Sequence, residues 1–149
     1  MAMDELSPDV RALRKVPFFE DLTDQDLSDI ARIGERVSFS DGDEIVTRGA
    51  PADGLWVLLS GGARVEAGGR VHELGPGAFF GEMALLGATP RTATVTASGD
   101  VEAMTIKTIY FGPFLIKHPS VAVTILKGVV ERLREVQERL ERAESQAAE

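Results

Sequence analysis

Residues 79–95 read FFGEMALLGATPRTATV. The stretch consists almost entirely of small and apolar residues, and its charged side chains are one acid, Glu82, and one base, Arg91. Apolar composition indicates burial, and a buried charge is costly unless it is paired. Two opposite charges, nine residues apart, therefore need an explanation in a segment suited to a protein interior.

The local pattern of this stretch suggests what could satisfy both charges. We predict that a strand ends near Phe80, that one or two helical turns follow and close at Gly87, and that RTATVTA is the next strand. A helix start presents unpaired backbone N–H groups, which attract anions. The guanidinium of Arg91 is a donor fork suited to phosphate oxygens, and Thr92 adds a hydroxyl group. Glu82 would accept hydrogen bonds from sugar hydroxyls, so a compact molecule with a phosphate and a ribose would suit both charges.

The composition bounds the class of protein. The chain has 149 residues, 44% hydrophobic and 27% charged, which is ordinary for one soluble globular domain. The absence of cysteine excludes disulfides, thiolate metal sites and cysteine nucleophiles. A net charge of −8 without a dominant basic stretch argues against nucleic-acid binding by this chain alone. No apolar run approaches the roughly 20 residues of a membrane span and no signal-peptide core is present, so we expect a cytoplasmic protein without a membrane partner.

Changes in composition along the chain predict an α+β fold. We interpret residues 1–149 as a single domain. Residues 7–36 read as helices, and residues 37–107 alternate short apolar stretches with glycine-rich turns. That alternation predicts an antiparallel β-barrel or jelly roll. Residues 108–145 return to helix, so the sheet is flanked by N-terminal helices and a long C-terminal helix.

Several element boundaries are marked by specific residues. Thr23 is a good N-cap, with Asp26 as its capping-box partner. We expect a helix interrupted near Gly112–Pro113 and a new helix that begins at Pro119. The hairpin ARVEAGGRVHEL, residues 63–74, has two consecutive glycines as its turn.

The last helix carries a heptad seam with steps of 4 and 3 residues. The seam consists of Ala122, Leu126, Val129, Leu133, Val136, Leu140 and Ala143. Beyond Arg132 the other positions are too polar to be buried by the domain, so we expect a weak homodimer through this helix. In a parallel pair, Arg139 would face Glu144 of the second copy.

FFGEMALLGATPRTATV resembles the phosphate-binding cassette of the cyclic nucleotide-binding domain family, the regulatory domains similar to the catabolite activator protein. PFFEDLTDQDL, GDEIVTRGAPADGLWVLLSGGARV and LGPGAFFGE match the entry helix, early strands and turn glycines of the family in order, so the resemblance covers residues 15–135. It implies a regulatory domain in signal transduction rather than an enzyme, with cAMP or possibly cGMP as ligand and with no metal or other cofactor. Ligand binding would move the C-terminal helices.

The resemblance also implies the site residues. Arg91 is similar to the arginine that pairs with the exocyclic oxygens of the cyclic phosphate, and Glu82 to the acid that binds the ribose 2′-hydroxyl. The cassette positions that contact the ligand are Gly81, Met83 and Ala84, and the residues beside the phosphate are Thr92 and Ala93. The hairpin positions that line the base are Val65, His72 and Leu74. The helical lid over the base consists of Arg132 and Val136.

Two alternatives to a nucleotide sensor remain open at this point. One is a dimerisation or scaffold domain with a degenerate cassette and no physiological nucleotide. The other is a sensor of a different ligand, such as haem bound through His72. Hydrolysis of a cyclic nucleotide is disfavoured because no cluster of metal ligands emerges from the sequence. The effector would act in trans or in a segment outside this chain.

Overall fold

The computed structural model describes residues 7–81 and 90–148. The helices are α1 (Pro8–Arg14), a 3-10 helix (Pro17–Phe19), α2 (Asp24–Ile33), α3 (Thr108–Lys117) and α4 (Pro119–Ala148). The strands are β1 (Gly34–Phe39), β2 (Glu44–Val46), β3 (Gly54–Ala67), β4 (Arg70–Leu74), β5 (Phe79–Phe80) and β6 (Thr94–Lys107). All strand pairs are antiparallel. This open six-stranded sheet between N-terminal and C-terminal helices confirms the predicted fold class.

The long strands β3 and β6 organise the sheet. Each has 14 residues, and they pair with one another along most of their length. β1 and β2 pair with β6, while β4 and β5 pair with β3. The register shifts twice between Leu58 and Gly62, which bends the sheet. Gly61 lies at this bend with φ +80°, where a Cβ atom would collide with the carbonyl oxygen of Asp100.

Two hydrophobic clusters hold the elements together. The first joins the helices to the sheet and includes Val10, Leu13, Phe19, Leu27, Leu55, Met104, Ile106, Phe111, Val121 and Ile125. The second is formed by residues of β2, β3, β5 and β6, namely Ile45, Leu58, Ala63, Val65, Phe80, Val95, Ala97, Val101 and Ala103. Burial of these side chains is the main favourable contribution to folding.

The structure contains the predicted capping box and hairpin. The Thr23 hydroxyl accepts a hydrogen bond from the Asp26 backbone N–H at 3.1 Å, and the Asp26 carboxylate accepts one from the Thr23 N–H at 3.2 Å. In the hairpin, Gly68 and Gly69 have φ values of 56° and 79°, which two-residue turns of this kind require. Val65 consequently pairs with His72, as predicted.

Two predicted boundaries differ from the structure. β1 begins at Gly34 rather than at residue 37, because residues 34–36 already pair with Ile106, Thr105 and Met104 of β6. The predicted interruption at Gly112–Pro113 was wrong, since α3 continues through Pro113. Pro113 is exposed, so water can hydrogen-bond the carbonyl of Ile109, which the missing N–H leaves without a helical donor.

The junction between α3 and α4 is attached to α2. His118 directs Nε2 to the Asp29 carboxylate at 2.9 Å and Nδ1 to the Phe114 carbonyl at 3.0 Å. The Ser120 hydroxyl donates to Asp26 at 3.2 Å. Because both ring nitrogens of His118 face oxygen acceptors, the doubly protonated imidazolium satisfies them best.

Protonation therefore contributes to the stability of this junction. The hydrogen bond with Asp29, followed by that with the Phe114 carbonyl, raises the pKa of His118, and the hydrogen bond from His118 lowers the pKa of Asp29. The contribution of His118 to the free energy of unfolding is fully present below about pH 6.5, and the contribution of Asp29 is fully present above about pH 4. The pair stabilises most between these limits, and the stabilisation is lost as pH rises through the pKa of His118 or falls through that of Asp29.

No single helix in the described part of the chain is long and apolar enough to cross a membrane. α3 and α4 taken together would meet the length and composition of a span, but they are bent by 118° at their junction.

Candidate functional site

A cavity of about 480 Å³ opens between the end of β5, the segment that precedes β6, the β3–β4 hairpin and α4. This volume falls within the roughly 300–1,000 Å³ of small-molecule sites. Every predicted site residue that the structure describes lines this cavity, namely Val65, His72, Leu74, Gly81, Arg91, Thr92, Ala93, Arg132 and Val136. The predicted residues Glu82, Met83 and Ala84 lie outside the described residues. The binding roles of all twelve remain predictions.

Arg91 supplies a buried guanidinium to the cavity wall, and its residue is only 8% exposed. Its Nη2 donates to the Gly54 carbonyl at 2.9 Å. The Asp53 carboxylate lies 3.9 Å from the same nitrogen and is 81% exposed, so it adds little. The Arg91 backbone is fixed by hydrogen bonds to Ala50 and from Gly49, at 2.8 and 2.9 Å. The guanidinium is therefore oriented before any ligand arrives.

Gly81 makes room for this guanidinium. Its φ is +86°, and a Cβ atom there would lie 2.5 Å from Nη1 of Arg91 and 2.9 Å from the Gly54 carbonyl oxygen. Only glycine fits both the dihedral angle and the space. The resemblance implies backbone contacts to the ligand at Gly81, and the structure adds this second reason for a glycine.

The hairpin forms a wall with two apolar and two polar side chains. Val65 is buried, Leu74 is half-buried and His72 is exposed. Glu73 also lines the cavity, although it is not among the site residues predicted from the sequence. Side chains alternate along a strand, so neighbouring hairpin residues are not expected to share one face, and no pattern pointed to Glu73.

α4 forms the opposite wall through Arg132, Glu135, Val136 and Arg139. Arg132 donates to the Phe79 carbonyl at 2.6 Å, and its Cζ atom lies 4.3 Å from the centre of the Phe79 ring. Glu135 and Arg139 are not among the site residues predicted from the sequence. Their spacing of three and seven residues from Arg132 places them on the same helical face, and this signal could have identified them.

The wall combines charged and apolar groups. Among the described lining residues, three guanidinium groups and two carboxylates accompany two phenylalanines and several aliphatic side chains. A ligand that suits this wall carries an anionic group for the buried arginine and a flatter, less polar part for the hairpin. The fold and the cavity thus define a small-molecule-binding module whose wall includes a helix outside the sheet.

This chain belongs to the cyclic nucleotide-binding domain family, whose model matches residues 36–118. The resemblance predicted from the sequence is thereby confirmed. The family provides cyclic nucleotide-binding regulatory domains, and that general function is assigned to this chain.

In two relatives with similar sequences, the matched region is a part of a larger protein. A cyclic nucleotide-gated potassium channel from Mesorhizobium japonicum is 35% identical over 117 residues, which cover 78% of this chain and 33% of the channel. A cGMP-dependent protein kinase from Toxoplasma gondii is 43% identical over 86 residues, which cover 57% of this chain and 9% of the kinase. The chain thus spans about a third or less of these curated relatives.

Among solved structures, the catabolite activator protein of Thermus thermophilus is similar, with a TM-score of 0.74 and 27% identity. The similarity covers 84% of this chain and 62% of that protein. It supports the description of the fold as an antiparallel sheet flanked by helices.

Proposed function

We propose that this chain is a regulatory module that binds cAMP in the cavity between the β3–β4 hairpin and α4, with a modest preference over cGMP. The observation that carries the proposal is the buried guanidinium of Arg91 at the wall of a ligand-sized cavity. A cyclic phosphate is a compact anion suited to that planar donor. The apolar hairpin side chains would receive the purine.

The preference is modest because few groups distinguish the two bases. Val65 and Leu74 offer no hydrogen bond specific for guanine. Glu73 and Glu135 could accept hydrogen bonds from an amino group, but both adenine and guanine carry one. Thr92 is exposed at the cavity wall, where its hydroxyl could reach the guanine amino group. Strong discrimination requires polar groups that the wrong ligand leaves unpaired.

Competition of cAMP and cGMP against a fluorescent cyclic nucleotide analogue tests this proposal. We expect cAMP to bind more tightly by about tenfold, or about 1.4 kcal/mol. Thr92→Ala is expected to weaken cGMP more than cAMP, whereas Thr92→Ser, which keeps the hydroxyl, should behave as wild type. A preference for cGMP of about tenfold or more would overturn the assignment. Binding of neither nucleotide would favour the scaffold alternative.

Ligand binding would act through helix position. α4 forms one wall of the cavity, so a nucleotide that contacts this helix favours the helix positions in which those contacts are made. We further propose that the apolar residues Leu85 and Leu86, which lie outside the described residues, repack against α3 on ligand binding, and that α3 then moves α4 over the base.

We also propose that α4 mediates a weak homodimer. Residues 133–148 are all exposed in this chain, and the seam residues Leu133 and Leu140 are 56% and 57% exposed. The first part of the helix instead buries Val121 and Ile125 against the domain. Leu133 and Leu140 of the seam thus remain available to a second copy, whereas Val136 lines the cavity and cannot serve the lid and the dimer at once.

Sedimentation equilibrium tests the homodimer. We expect reversible dimers at protein concentrations on the order of hundreds of micromolar, which corresponds to a weak free energy of association. Leu133→Glu combined with Leu140→Glu should abolish them and preserve nucleotide binding, because neither residue lines the cavity. A wild-type protein that stays monomeric throughout this range would contradict the proposal.

The assignment extends to the cellular context. We propose one regulatory domain over residues 1–149, non-enzymatic and cytoplasmic, that acts on an effector in trans or in a further segment. The support is that a channel and a kinase are among its relatives, and in both the matched region is a minor part of the length.

A further inference from the structure

α4 approaches the rest of the fold very closely at Gly128. A Cβ atom at this position would overlap the edge of the Phe18 ring and lie 2.9 Å from Cζ of Phe79. By contrast, a Cβ atom at Gly112, in α3, would meet nothing within 4 Å. Gly128 is therefore where the helix rests directly on two aromatic rings.

The two rings support one another on the side away from the helix. Phe18 stacks on Phe79 with ring centres 4.5 Å apart, and it also contacts Phe19 with ring centres 5.3 Å apart. Phe79 is buried in the core and Phe18 is half-buried. Because Phe79 cannot yield without disturbing the core, a side chain added at Gly128 is expected to displace the helix, since close-packed interiors transmit such strain.

The same rings lie beside the ligand cavity. Phe79 lines it, and its carbonyl oxygen accepts the hydrogen bond from Arg132. Arg132 follows Gly128 by about one helical turn, and Val136 follows by about two. A shift of the helix at Gly128 thus moves the side chains that form the α4 wall, although neither Gly128 nor Phe18 is among the residues that line the cavity.

We propose that Gly128, Phe18 and Phe79 form a seat that fixes α4 over the cavity, with Gly128 and Phe18 as positioning residues for nucleotide binding. The proposal rests on the proposed function, since its readout is cAMP binding. A side chain at Gly128 lifts the helix from the rings and withdraws Arg132 and Val136 from the ligand. Arg91, the expected phosphate ligand, lies in the segment that precedes β6 and not in α4, so it stays in place.

Gly128→Ala tests the seat, with Gly112→Ala as the matched control, because both place one methyl group in a helix. We expect Gly128→Ala to weaken cAMP binding by about tenfold, mainly through faster dissociation, and Gly112→Ala to bind within about threefold of wild type. Adding Phe18→Leu to Gly128→Ala should restore part of the affinity, because it removes the closest contact of the methyl group and leaves only the approach to Cζ of Phe79 at 2.9 Å. Circular dichroism verifies that each variant is folded.

A double variant of the α4 wall distinguishes a positioning role of Gly128 from general destabilisation of the protein. In an Arg132→Ala, Val136→Ala protein the lid contacts are already absent, so Gly128→Ala should cause little further loss. An undiminished loss in that background, or wild-type affinity of Gly128→Ala, would overturn the seat. If Gly128→Ala does not fold, Phe18→Ala replaces it and must speed cAMP dissociation by at least about threefold for the seat to stand. Wild-type protein that fails to bind cAMP would instead contradict the proposed function.

Discussion

Arg91→Ala is expected to weaken cyclic nucleotide binding by about 2–5 kcal/mol, which is the usual loss when one partner of a buried charge pair is removed. This corresponds to a loss in affinity of about 30-fold to several thousand-fold. The reason is that the guanidinium is buried and oriented by the Gly54 carbonyl before the ligand binds. In the variant, the phosphate would be desolvated in the cavity without its cation.

Titration calorimetry measures this loss, and Arg91→Lys is the matched control. Lysine keeps the charge but lacks the planar donor fork, so we expect an intermediate affinity. Affinity of the alanine variant within about threefold of wild type would remove Arg91 from the phosphate role. Stability in the absence of ligand should be followed separately by denaturant unfolding, because the variant removes the Arg91 donor from the Gly54 carbonyl, and an unsatisfied buried acceptor costs about 1–3 kcal/mol.

The sequence and the structure lead to different expectations for the stability of the ligand-free Arg91→Ala protein. From the sequence alone, Arg91→Ala is expected to change the stability of the ligand-free fold very little. The side chain, however, makes a buried hydrogen bond to Gly54, a residue 37 positions away. Backbone carbonyls carry no sequence signal, so a contact of this kind cannot be predicted from composition or spacing.

The features that could be predicted are those encoded locally. The Thr23–Asp26 capping box and the Gly68–Gly69 turn depend on residues a few positions apart, and both are present in the structure. The cassette is likewise one continuous stretch, and the other stretches that resemble the family are continuous too, so the resemblance could be read from the sequence. Local rules have mechanisms that act over one turn of chain.

The features that could not be predicted depend on contacts between distant segments. Arg132 meets Phe79, which lies 53 positions earlier, and Gly128 rests on Phe18. The spacing along α4 indicates which residues share a face, but it cannot say which surface that face meets. The early start of β1 at Gly34 has the same origin, because residues 34–36 pair with residues of β6 that are distant in the sequence.

Glu82→Gln is expected to weaken binding by about 1.5–3 kcal/mol, the value of one hydrogen bond to a charged group. Glutamine keeps the shape of the side chain and removes its charge, so the variant reports on the carboxylate itself. The prediction follows from the place of Glu82 in the cassette, directly after Gly81. A Cβ atom at Gly81 would lie 2.5 Å from the Arg91 guanidinium, which is the group expected to bind the phosphate. Glu82 therefore follows, in the sequence, a residue that adjoins the expected phosphate position.

The 2′-deoxy cyclic nucleotide determines whether this carboxylate holds the ribose. If Glu82 accepts a hydrogen bond from the 2′-hydroxyl, the deoxy ligand has already lost that bond. Wild type and Glu82→Ala should then differ less in their affinity for the deoxy ligand than for cAMP, and the difference between the two penalties is the coupling between the side chain and the hydroxyl. Equal penalties for both ligands would refute the assignment, because the acid would then stabilise the cassette without contacting the sugar. The Arg91 variants provide the contrast, since loss of the phosphate partner should weaken both ligands to the same extent.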